Sequence, residues 1–142
     1  MVRIIFLFLS ILLTIEISVS ATPPLSGKNK ILYEGIYMST TVETAGTGHI
    51  EYRTYMRFYP DKKVILITSD LPIEDIKKSL TQDGIYDSSG AFKVQNGHIS
   101  FSAISGAGKV DYTGKIIGKR LELDIHSHIN QYRGKEIFIY VE

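Results

Sequence analysis

The sharpest chemical feature of the chain is His126-Ser127-His128. In an extended strand, residues i and i+2 share a face, so imidazoles one residue apart can approach a single metal ion. Glu122, Asp124 and His98 are the side chains considered for a third ligand. The competing reading is a solvated pair. Leu121, Leu123 and Ile125 claim the core face of the same segment, which turns both histidines outward. Metal binding by His126 and His128 is therefore one expectation, and a surface pair without a ligand is the other. Nucleophilic chemistry has less support. Ser100 and Ser102 alternate with His98, but no G-x-S-x-G elbow exists. Gly106-Ala107-Gly108-Lys109 leads into a strand rather than a helix N-terminus, so it is no phosphate loop. The chain has no Cys, which excludes disulfides, thiolate nucleophiles and Cys-ligated metals. The expectation is a protein that is not an enzyme, with no cofactor.

Two further residue sets suit binding rather than reaction. Tyr37, Tyr52, Met56, Phe58, Phe92, Phe101, Tyr112, Leu123 and Phe138 are spread over most of the extended segments. Turned inward in a barrel, they form an apolar wall with a few polar tips, which suits a small hydrophobic ligand. The alternative is a filled core. On residues 49–59, Arg53, Tyr55, Arg57 and Tyr59 alternate with apolar positions. Tyr and Arg are enriched at protein interfaces, so this face is the candidate surface for a protein partner. The competing reading is ordinary surface alternation.

These residues must be positioned by strands. Turn signals recur about every eight to twelve residues from position 31, the spacing of an all-β sandwich or barrel. Strands are expected at 31–42, 49–59, 64–69, 91–95, 98–104, 109–116, 120–128 and 136–141. Pro60-Asp61-Lys62, Asn96-Gly97 and Gly118 mark tight turns. One helix is expected at about 72–80. Asp70 is placed to cap it, Pro72 to enter its first turn, and Ile73, Ile76 and Leu80 to form its apolar stripe. So short a helix must pack on something, and an end of the barrel or an open sheet edge is the expected seat. The short connections after the helix favour neighbours in sequence as neighbours in space. Closure then removes both unpaired edges. The fold class is all-β, an antiparallel up-and-down barrel of about eight strands with one short capping helix. A two-sheet sandwich is the alternative.

Residues 1–21, MVRIIFLFLSILLTIEISVSA, run from a basic residue through an apolar stretch to a small-residue end. That is the order of a secretory signal peptide. The apolar part is short against the roughly 20 residues of a bilayer span, although an uncleaved signal anchor is the competing reading. Cleavage removes one base, Arg3, and one acid, Glu16. Residues 22–30 read as a flexible leader and 31–142 as the domain. The expected location is secreted, periplasmic or otherwise extracytoplasmic, with no membrane span after cleavage. With 16 Lys+Arg against 15 Asp+Glu, no positive excess exists to hold nucleic acid through its phosphates.

One block supports a comparison. Residues 55–65, YMRFYPDKKVI, followed by the helix and the small hairpin, resemble a "YxRFxPDGxV" pattern. That pattern belongs to lipocalin-like, calycin-type β-barrels, including the C-terminal β-domain of F-box only protein 9 and bacterial secreted lipocalin-like domains. A glycine often stands where this chain has Lys62 or Lys63. The Gly-x-Trp element is missing, since the chain has no Trp. The resemblance covers about residues 33–141. It implies a calycin-type barrel and the binding of a small apolar molecule, and it carries over no catalytic residue.

Overall fold

A computed structural model describes residues 29–48 and 50–142. The signal peptide and most of the leader lie outside the described residues. The strands are β1 (Ile36–Ser39), β2 (Glu43–Ala45), β3 (Ile50–Phe58), β4 (Lys63–Ser69), β5 (Ser88–Gln95), β6 (His98–Ser105), β7 (Gly108–Ile117), β8 (Arg120–Ser127) and β9 (Arg133–Val141). A single helix, α1 (Ile73–Ser79), lies between β4 and β5. Among these residues no helix is long and apolar enough to cross a membrane.

All strand pairs are antiparallel and follow chain order from β3 to β9. β1 pairs with β9 on one side and with β3 on the other, which closes eight strands into a barrel. β2 continues the pairing of β3 beyond the barrel rim. It occupies part of a stretch that reads as a turn in the sequence. The expected all-β barrel with one short helix is thus the observed fold.

Alternation places Tyr37, Met56, Phe58, Leu66, Phe92, Phe101, Ala103, Tyr112, Leu123 and Phe138 in one buried cluster inside the barrel. Gly114 also faces inward. A Cβ there would meet the Glu122 carbonyl oxygen at 1.9 Å, so only glycine lets β8 approach β7 this closely. The turn between β7 and β8 pairs Ile117 with Arg120. Gly118 takes φ +59° in its first central position, a conformation that favours glycine. This two-residue turn sets the register of everything on the hairpin.

Three details differ from expectation, and a fourth bears on the resembled pattern. Residues 31–35 are not strand. Ile31 joins the interior cluster, the Leu32 amide donates to the Tyr37 hydroxyl, and the Gly118 amide donates to Asn29 Oδ1. The segment therefore folds across one end of the barrel as a plug. Asp70 does not cap α1. Pro72 holds the N-cap position with no side-chain bond, and its carbonyl accepts from the Asp75 and Ile76 amides. Nor does the helix sit over an end. Ile76 and Leu80 pack with Ile36, Tyr55, Ile65 and Ile67 on the outer face of β1, β3 and β4. Finally, Lys62 adopts φ +71° in the turn between β3 and β4. This is the left-handed region that glycine fills without steric cost, and it is where the resembled pattern often has glycine.

Candidate functional site

The two ends of the barrel differ. At the end plugged by Ile31, the inward residues Val64, Ile99, Ile116, Leu121 and Phe138 are all buried. Between the ends the rings meet one another. Phe58 packs edge-on to Tyr37, Phe92 and Phe101 with centroids 5.0–5.8 Å apart, and Phe101 stacks on Tyr112 at 4.7 Å. Six of the expected lumen residues, Tyr37, Met56, Phe58, Phe92, Leu123 and Phe138, thus form a self-packed core. Such rings are held by burial and by edge-to-face contacts.

At the other end the inward side chains meet solvent. Tyr52, Thr54, Val110, Ile125 and Glu136 are half-buried, Thr68 is exposed, and Ile50 is 44% exposed. Below them lie Met56, Leu66, Ala103 and Tyr112. The result is at most a shallow cup, with partly exposed side chains at its rim and a floor that is itself close-packed and buried. Ser39 donates to Glu136 Oε1 from the adjacent strand. Glu43 pairs across β2–β3 with Tyr52. Tyr112 is only 8% exposed, and burial, with Glu136 and Glu43 nearby, pushes its hydroxyl up to about 12. Of the expected lumen residues, Tyr52, Tyr112 and the edge of Phe101 serve this cup. Glu43 and Glu136 do not figure among the sequence candidates. Their signal is weak, because Glu43 falls in a stretch that reads as a turn and Glu136 only opens the expected last strand at 136–141.

The expected partner surface is corrected. Tyr55 is 4% exposed beneath α1. Arg57 donates to the carbonyls of Leu80 and Lys77 at 2.9 and 3.0 Å, so its guanidinium holds the C-terminal end of the helix. Arg53 donates to the Ser39 and Thr40 carbonyls. Tyr59 packs at the edge of the same cluster. These four side chains dock a helix and a loop of their own chain.

The opposite outer wall, β6–β9, carries the histidines. Register places Ser102, Asp111, His126 and Arg133 in one row across four strands. His128 follows just past the end of β8, two residues after His126, and its amide donates to the Lys109 carbonyl. The imidazoles of His126 and His128 stand 4.2 Å apart, centroid to centroid. His128 Nε2 donates to Asp111 Oδ2 at 2.6 Å, and Ser102 Oγ donates to Asp111 Oδ1 at 2.5 Å. These two hydrogen bonds, with Lys109 at 3.6 Å, hold the Asp111 carboxyl down at about 2. His126 Nε2 is buried with no hydrogen-bond partner among the described residues. Such an orphan costs about 1–3 kcal/mol.

Asp111, His126 and His128 each bring a ligand atom within 4.8 Å of the others. The third ligand is therefore neither His98, Glu122 nor Asp124. His98 and Glu122 are both in register with Lys115, farther along the wall toward the plugged end. Asp111 was identifiable from the turn at Gly118, since the register that joins Ile117 to Arg120 also places Asp111 opposite His126. Ser102 is spent on orienting Asp111.

No family model, curated protein or solved structure matches the chain. Its class is set by architecture alone: a closed, eight-stranded antiparallel β-barrel with a helix on its outer face.

Proposed function

We propose that the chain is an exported, non-enzymatic, lipocalin-like binding barrel that takes a small, mainly apolar molecule in the open half of its interior. One observation carries this reading: inward side chains are buried at the plugged end and solvent-reached at the other. An open end on an otherwise close-packed barrel is the usual place for a small ligand. Ile50, Val110 and Ile125, the solvent-reached apolar residues of that end, would contact the apolar body. Tyr112, Glu136 and Glu43 would receive a polar or cationic head, because two carboxylates at the rim favour positive charge. The left-handed backbone at Lys62 supports the lipocalin-like assignment, since it is the turn geometry that a glycine there would serve. The signal-like residues 1–21 support export.

The test is native mass spectrometry of the protein purified undenatured from its own host. A co-purifying small molecule that is lost on unfolding is the expected result. Val110→Trp, which fills the mouth of the cup from a half-buried position, should release it while circular dichroism remains that of the barrel. A clean mass for the wild-type protein rejects the reading.

A further inference from the structure

The row of polar side chains on the outer wall has a geometry beyond that of an ion pair. Three groups of metal-ligating type converge there, two imidazoles and one carboxylate, supplied by β7, β8 and the residue that follows β8. A tetrahedral zinc with bonds of about 2.0–2.1 Å holds its ligand atoms about 3.3 Å apart. The hydrogen bond between His128 Nε2 and Asp111 Oδ2 is 2.6 Å long. Replacing its proton by a metal ion requires these atoms to separate by less than about 1 Å. Both lie on partly exposed side chains, so the rotation is open to them.

The surroundings favour the same result. Ser102 binds the other carboxylate oxygen, which fixes the Asp111 plane and turns Oδ2 toward the histidines. Outer partners of this kind orient ligands in metal sites. His126 is the member without an evident protein role for its buried Nε2. A neighbouring hollow lined by Thr113, Asp124 and Arg133 leaves solvent access for a fourth ligand. Lys109, Arg133 and Lys135 are the local cations, and Lys135 is paired with Asp124 at 3.4 Å. Lys109 is half-exposed and 3.6 Å from Asp111, loose enough to swing away.

We propose that Asp111, His126 and His128 form a binding site for one divalent transition-metal ion of the zinc type, with the fourth coordination position open. Two imidazoles select against calcium and magnesium, which prefer all-oxygen shells. The site faces away from the barrel interior, so it is independent of the cup.

The experiment is a calorimetric titration of ZnCl2 into metal-free purified protein, repeated with CaCl2. One zinc per chain is expected, with no saturable calcium uptake. His126→Gln, His128→Gln and Asp111→Asn should each weaken zinc binding at least about tenfold, and Ser102→Ala about tenfold or less. His98→Ala, on the same wall but out of reach, should leave it within about twofold. Cobalt substituted for zinc should give the visible absorption of a four-coordinate N/O site, which a nonspecific surface ion does not. Circular dichroism of each variant separates loss of the site from loss of fold. Absence of stoichiometric zinc uptake overturns the proposal. So does a His98→Ala loss as large as that of His126→Gln, or calcium binding that Asp111→Asn removes.

Discussion

The two outer walls of the barrel are built from the same kind of strand and end in opposite states. On β3 and β4 the outward residues Tyr55, Ile65 and Ile67 are apolar enough to require a cover, and α1 supplies it through Ile76 and Leu80. On β6–β8 the outward residues are mostly Ser, Asp, Thr, Lys, Glu and His, with the exposed Ile104 and Ile117 toward the strand ends, and no helix covers them. The first wall uses its polar atoms to hold the helix, as Arg57 does. The second leaves its polar atoms free to bind one another and an incoming ion. A short helix therefore decides which side of a small barrel is structural and which can acquire chemistry.

The strongest way to break this contrast is to empty the helix seat. Ile76→Ala should cost about 2–5 kcal/mol, because a fully buried branched side chain is replaced by a cavity. Thr113→Ala on the bare wall should stay within about 0.5 kcal/mol. Urea unfolding midpoints of the two variants measure the difference, and equal losses would deny the helix its covering role.

A second effect lies on β7 itself, where Asp111 faces out and its neighbour Tyr112 faces in. Tyr112 is raised to about 12 by burial and by nearby Glu136 and Glu43. Below pH about 10 its hydroxyl is protonated in both folded and unfolded chains, so its contribution to stability is whole. That contribution, about 3 kcal/mol, is lost as pH rises from about 10 to about 12, because the unfolded chain releases the proton first. Denaturant titrations across this window should show the decline, and Tyr112→Phe should flatten it.

Arg57→Ala removes two charge-assisted bonds to the helix end and should cost about 1.5–3 kcal/mol. Amide exchange should accelerate in α1 before it does in β6–β8. If protection falls evenly over the barrel, Arg57 supports the sheet rather than the helix. The smallest change is Lys62→Gly. It relieves a left-handed residue but loses the Lys62 ammonium over the Phe92 ring at 5.4 Å. A net gain of up to about 1 kcal/mol is expected by thermal unfolding.

The same contrast explains what could be read in the sequence. The strands β6, β7 and β8 alternate cleanly, and the expected core face of β8, Leu121, Leu123 and Ile125, is the observed one with buried Ser127 added. The helix was legible from Ile73, Ile76 and Leu80. Its seat was not, although the unbroken run Val64-Ile65-Leu66-Ile67 announces a strand buried on both faces. Tyr55 and Arg57 read as wet because both types serve either side of an interface, and periodicity does not say what covers a face. Residues 31–35 read as strand because apolar residues meet the same demand for burial in a plug. The histidine pair was visible at once. Its third member needed the pairing register, which follows from counting back from the turn at Gly118.

The plug gives the molecule a direction. Asn29 lies against the turns at Gly97 and Gly118, and Glu142 is tied to Lys119 beside the same turn. Both extremities of the described polypeptide therefore leave from one pole of the barrel, and the cup opens at the other. A matrix, bead or sensor chip attached through either extremity would present every molecule with its mouth toward the solution. The protein can thus be immobilised in a single orientation without a handle near the opening.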